Sequence, residues 1–263
     1  MLRVSFIDFL NAVPLGWDFL YGSSQRAFEI LYDVPSQCAR HMETGEADVG
    51  LIPVIEYQRI AGLRILSDIS IASQREARSV LFASRMPIRQ VRSVALDPSS
   101  RTSVALLKIL FQKSYQNSDV RYFSGPPDAV RIPEGADAAL LIGNPALRLR
   151  REGLHVYDLA NEWFRWTGLP FVFAFWAVRS GVSMSRTDKE RFYRSRQAGL
   201  ENVEEIARIY SERLQIDRPE IVRYLTRNLD FHLDGRNLQG LTHFYRLAAE
   251  CGLIDEVRQP EFV

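Results

Sequence analysis

The sequence lacks most of the features that announce a chemistry at first sight. It has two cysteines, Cys38 and Cys251, too few and too far apart for a disulfide framework or a thiolate metal site. Its four histidines (His41, His155, His232 and His243) follow no zinc-binding spacing, so no metal is expected. Neither sign of charge dominates. Lys+Arg number 33 and Asp+Glu 32, a formal net charge of +1, which gives no reason to expect a nucleic acid or an acidic membrane surface as partner. The longest apolar run, residues 169–178, is interrupted by Pro170 and is too short to span a bilayer. Met1 leads directly into a strand-like segment with no basic or long apolar leader, which predicts a cytoplasmic protein. Internal repeats and low-complexity tracts are absent as well.

What is present is a chain of 263 residues with 46% apolar content, enough for one large domain or two lobes with a proper core. Short apolar runs at 3–7, 27–32 and 47–53 read as strands, and the segments between them have helical character. This β-α-β-α-β alternation predicts a parallel sheet wrapped by helices. Extended segments follow at 63–66, 68–72 and 79–83. The alternation then restarts with strands at 91–96, 120–123, 136–142 and 155–159 and helices from about Thr102 and over 162–166. Residues 170–178 read as a buried strand, and 185–213, 219–225 and 237–251 as helices. The pattern predicts an α/β chain of two lobes crossed twice, near 85–88 and near 171–179. One lobe would comprise 1–86 and 178–263, the latter carrying the C-terminal helices, and the other 87–177. A ligand would sit in the cleft between them, where the loops after parallel strands gather.

One stretch stands out within that frame. A strand ends at Asp97-Pro98, and Ser99, Ser100, Arg101, Thr102 and Ser103 follow in a row where a helix begins. A helix N-terminus offers unpaired N–H groups and a partial positive charge, which suits a carboxylate or another anion. A cap alone would need only one of those hydroxyls. Asn11, Ser79, Gly143 and Asn144 also fall at strand ends or tight turns that a cleft would gather. Taken singly, Asn11 reads more readily as a turn former and Ser79 as a packed strand residue, while Asn144 reads equally as a cap. The run around Arg148, Arg150 and Arg151 reads as a solvated face.

The segments SFIDFLNAVPL, GEADVGLIPVIEY, SVLFAS, LDPSSRTSVALL, ALLIGNPAL and TGLPFVFAFWAVR, in that order and spacing, resemble the chorismate dehydratase family of menaquinone biosynthesis by the futalosine route. The resemblance implies a two-lobe fold of the type 2 periplasmic-binding-protein kind. It implies elimination of water from chorismate to give 3-enolpyruvoylbenzoate without metal or organic cofactor, and a small-molecule substrate as the partner. It places the family's catalytic Asn on Asn11 and catalytic Ser on Ser79, with Ser99, Ser100, Arg101, Thr102, Ser103, Gly143 and Asn144 binding substrate. The family usually carries Asp where this chain has Asn144. A sister family that makes a dihydroxynaphthoate has a Cys-containing loop where this chain has Asp8-Phe9-Leu10-Asn11-Ala12-Val13-Pro14, which disfavours that alternative. A non-catalytic carboxylate-binding protein of the same fold is the rival from another class.

Overall fold

The computed structural model describes residues 1–117, 119–125 and 131–263. Among the described residues ten strands run in chain order as β1 (Arg3–Ile7), β2 (Glu29–Asp33), β3 (Val49–Pro53), β4 (Arg64–Ser73), β5 (Val80–Ser84), β6 (Ser93–Leu96), β7 (Arg121–Ser124), β8 (Ala138–Ile142), β9 (His155–Asp158) and β10 (Phe171–Val178). The helices between and after them are α1 (Val13–Leu20), α2 (Pro35–Thr44), α3 (Val54–Arg59), α4 (Arg101–Ile109), α5 (Gly143–Leu147), α6 (Leu159–Thr167), α7 (Arg186–Glu201), α8 (Val203–Leu214), α9 (Arg218–Arg223) and α10 (Gly235–Glu250).

The strands form two five-stranded sheets, ordered β2-β1-β3-β10-β4 and β7-β6-β8-β5-β9. In the first, β1 runs parallel to β2 and β3, as the β-α-β-α-β alternation requires, and β10 enters antiparallel between β3 and β4. In the second, β6 is parallel to β7 and β8, while β5 is antiparallel to β8 and β9. The two extended segments expected at 63–66 and 68–72 are one strand, β4, bent by an irregular pairing with β10 and by Asp68 at φ 61°.

Sheet membership moves both expected crossings toward the N-terminus. β5 was expected on the first lobe's side of a boundary at 86/87, and β10 on the second lobe's side of one at 177/178. Instead β5 sits inside the second sheet and β10 inside the first. The chain therefore passes between sheets from Ser73 to Val80 and again from Asp158 to Phe171. Burial gives the reason. Every residue of β5 is buried, which suits a strand flanked on both edges and covered on both faces. Val80 and Phe82 face the main core, while Leu81 and Ala83 face a smaller cluster with Ala139, Leu141 and Leu149 on the other side of the sheet.

The C-terminal helices pack on the first sheet's side. Gly199 lets α7 approach α1 closely, since a Cβ there would lie 2.1 Å from the Pro14 carbonyl oxygen. The helix expected over 185–213 breaks at Asn202 into α7 and α8. Among the described residues no helix is long and apolar enough to cross a membrane.

Candidate active site

The C-terminal ends of β1, β3 and β8 and the N-terminal ends of β5, β10 and α4 point toward one another across the two sheets. Between them lies a cavity of about 40 Å³. Asn11, Ser79, Ser100, Thr102, Ser103 and Gly143 supply its polar lining. Its walls are apolar: Phe9 from the loop after β1, Ile71 from β4, Phe173 and Ala174 from β10, and Leu229 from the C-terminal segment. Six of the nine residues expected at the site thus meet in one place.

Each is held for a local reason. Asn11 lies in the turn between β1 and α1, and its side-chain Oδ1 is buried with no hydrogen-bond partner among the described residues. A buried acceptor left unpaired is costly unless something else donates to it. Ser79 immediately precedes β5, with its backbone carbonyl accepting from the Gly143 N–H at 2.8 Å. Ser100 precedes α4, and its hydroxyl donates to Ser103 Oγ at 2.7 Å instead of capping the helix. The N-cap residue's own side chain therefore leaves the first-turn amides of α4 uncapped at the cavity's edge. Thr102 Oγ1 accepts from the Ile55 N–H of α3 at 3.3 Å, a bond that ties the two sheets' halves together.

Three expected residues stand outside the cavity. Arg101, at the first position of α4, does not line the cavity. Its guanidinium pairs with Glu56 of α3, a buried carboxylate that also pairs with Arg59 at 2.8 Å. Arg101 instead lines a separate groove on the far side of α4, with Lys108 and Tyr122. Ser99 turns back to Asp97, donating both its N–H and its hydroxyl to Oδ1. Asn144 Oδ1 accepts from the Leu10 N–H at 3.2 Å, linking the loop after β1 to the start of α5.

Gly143 adopts φ +61°, and a Cβ there would sit 2.8 Å from the Phe9 ring. Phe9 against Gly143, Leu10 against Asn144 and Ile55 against Thr102 together close the cleft. The apolar walls and the Phe9 contact were not apparent in the sequence, because a single aromatic in a loop after a strand carries no signal for what it meets. Burial also decides several ionisations nearby. The Asp158 carboxyl is pushed up to about 6 by burial, partly offset by backbone amides that donate to it. The fully buried Tyr224 phenol is held above its ordinary range by desolvation. The Cys38 thiol is raised to about 12 by burial, which leaves it unreactive at neutral pH.

Known proteins place this geometry in context. A family model described as menaquinone biosynthesis matches residues 2–250. The chain is 28% identical over 235 residues to a chorismate dehydratase of Thermus thermophilus, an alignment that covers 82% of this chain and 85% of that protein. Its fold is similar to a crystal structure of a protein from Archaeoglobus fulgidus, with TM-score 0.77 and 21% identity over 96% of this chain and 98% of that one. It is also similar to the periplasmic aliphatic sulphonate binding protein of Escherichia coli, with TM-score 0.65 and 14% identity over 100% and 93% of the two chains. The two-sheet architecture is thus that of the periplasmic binding proteins.

Proposed function

The chain belongs to the menaquinone biosynthesis family, and from that premise we propose that it is a chorismate dehydratase, a carbon–oxygen lyase that removes water from chorismate to give 3-enolpyruvoylbenzoate. The observation that carries the reading is the lining of the cavity. A row of hydroxyls and an uncapped helix N-terminus face a buried, unpartnered Asn11 oxygen between two sheets. The reading treats each sheet as the core of one lobe.

Chorismate is a cyclohexadiene with a ring carboxylate, a hydroxyl and an enolpyruvyl ether. The C–H bond at the ether-bearing carbon breaks and its electrons form the new ring double bond. The neighbouring C–O bond breaks, and hydroxyl and proton leave as water. The ring becomes aromatic, so the step is strongly downhill and the protein's task is positioning and charge stabilisation. Deprotonation sends negative charge toward the ring carboxylate. Ser100, Ser103 and the amides opening α4 stabilise that charge, because they form the donor-rich side of the cavity. Asn11 Oδ1 accepts from the substrate hydroxyl, and Ser79 fixes its orientation.

Among the described residues, none that lines the cavity has a carboxylate, imidazole or amine side chain. This supports the substrate's own enolpyruvyl carboxylate as the proton acceptor. An analogue lacking that carboxylate is expected to bind without turnover, and normal turnover would refute the idea. The cavity of about 40 Å³ holds roughly one water, so chorismate enters when the contacts of Phe9, Leu10 and Ile55 with the opposite side loosen. Incubation with chorismate, followed by absorbance and mass of the aromatic product, tests the whole reading. Tight binding of a small carboxylate with no aromatic product would instead identify a binding protein.

A further inference from the structure

The two residues before Ser79 are held by a carboxylate that lies outside the cavity. Asp158 ends β9 and is the N-cap of α6. Its Oδ1 accepts from the backbone N–H groups of Ala160 at 3.1 Å and Asn161 at 3.2 Å, which is an ordinary helix cap. The same carboxylate reaches across to the other chain crossing. Oδ1 also accepts from the Ala77 N–H at 3.2 Å, and Oδ2 accepts from the Arg78 N–H at 2.6 Å. One buried carboxylate therefore ties the passage from β4 to β5 to the passage from β9 to β10.

We propose that Asp158 is a positioning residue for Ser79, holding residues 77 and 78 in the turn that presents the Ser79 hydroxyl to the cleft. The inference rests on the reading of Ser79 as a residue that contacts substrate. Arg78 has φ 60°, a left-handed conformation that a residue with a Cβ adopts only when its surroundings impose it. The surroundings here are identifiable. The Arg78 N–H is held by Asp158 Oδ2, its guanidinium pairs with Glu220 of α9, and the next residue's carbonyl takes the Gly143 N–H. Ser79 is thus fixed from behind by Asp158 and from the side by Gly143. A cap alone does not explain the arrangement, since Oδ1 supplies every bond to α6 and Oδ2 is given to Arg78. The raised carboxyl, with Glu76 and Arg78 as charged neighbours and Tyr224 beside them, shows that this placement is held against a desolvation cost.

The two oxygens separate the roles experimentally. Asp158→Asn retains Oδ1 for the cap but turns an amide donor toward the Arg78 N–H. Asp158→Ser keeps a short cap and loses both bonds to the crossing. Turnover of chorismate by each variant and by Ser79→Ala is measured per folded molecule, together with KM and the melting temperature. The expected result is a kcat at least about tenfold lower in both Asp158 variants, with KM within about threefold, since a slightly misplaced group costs rate more than affinity. Asp158→Asn, which keeps the cap, should retain most of the wild-type melting temperature. An unchanged kcat per folded molecule in Asp158→Asn or Asp158→Ser, with Ser79→Ala inactive, would overturn the inference while leaving the Ser79 reading intact. Normal turnover by Ser79→Ala would overturn that reading and the inference with it.

Discussion

Gly143→Ala tests the closed cleft most directly. Two costs follow from the structure. The first is conformational: Gly143 sits at φ +61°, where an alanine costs about 1 kcal/mol in whatever state the lobes adopt. The second is steric: the new Cβ would lie 2.8 and 2.9 Å from two carbons of the Phe9 ring, well inside ordinary contact. Phe9 comes from the loop after β1 and Gly143 from the start of α5, directly after β8 of the second sheet, so this clash exists only when the two sides meet. Overpacking of this kind costs about 1–3 kcal/mol. The conformational cost is common to open and closed states and cancels, so the closed state is disfavoured by the steric part alone, about 1–3 kcal/mol, and kcat/KM falls by a factor of roughly 5 to 150. Steady-state kinetics of Gly143→Ala, measured both with Phe9 present and in a Phe9→Ala background, isolates the steric cost through a double-mutant cycle. In the Phe9→Ala background the alanine should leave kcat/KM within about twofold, its conformational cost appearing only as a loss of about 1 kcal/mol in unfolding free energy. Equal losses in both backgrounds would refute the argument that Phe9 and Gly143 meet on closure, and no loss in either would refute the closed cleft as the working state.

Asn144→Ala removes the hydrogen bond from the Leu10 N–H and should cost about 1 kcal/mol of closure, a roughly fivefold rise in KM. Asn144→Asp keeps an acceptor at the same place and should leave KM within about twofold; comparing the two by chorismate titration tests whether the contact is a simple acceptor. Arg101→Ala should act on stability, because Arg101 pairs with buried Glu56 and leaves Arg59 as that carboxylate's remaining partner. We expect a loss of about 1–2 kcal/mol in urea unfolding, discounted for the partial exposure of Arg101, with KM changed less than in Ser103→Ala. For Asp158, the carboxyl raised to about 6 means that the folded chain binds more protons than the unfolded chain between about pH 4 and 6. Its contribution to stability therefore falls as pH rises through that window, by about 3 kcal/mol in total. The difference in unfolding free energy between wild type and Asp158→Asn should trace this curve, and a difference independent of pH between 4 and 7 would contradict it.

The sequence revealed the strand–helix rhythm well, because alternation of short apolar runs with helical spacing depends only on local pattern. It also marked the hydroxyl-rich start of α4, since five polar residues before an amphipathic helix are unusual enough to notice. It did not reveal where β5 and β10 belong. A strand's partners depend on which edges the rest of the chain leaves open, and VLFAS reads the same in either sheet. Arg101 was expected among the binding residues on the strength of its place in the run. One residue of helical rotation, about 100°, turns it out of the cavity toward a separate groove, where Glu56 holds it. Asp158 carried only the signal of an aspartate before a helix, and its hold on Arg78 spans 80 residues of sequence, a distance no local pattern encodes.

The seat of β10 between β3 and β4 has a consequence for synthesis. As the chain emerges from the ribosome, β1, β2 and β3 appear early, and β4 follows with no neighbour to pair with until residues 171–178 are made. The second sheet draws all its strands from residues 80–158, a contiguous stretch. It can therefore assemble while the first still has two open edges. The half of the protein translated first is completed last, and a nascent chain paused before residue 171 exposes β3 and β4 to each other or to another chain. Substitutions that weaken β10 should for this reason lower the yield of folded protein more than their equilibrium cost accounts for.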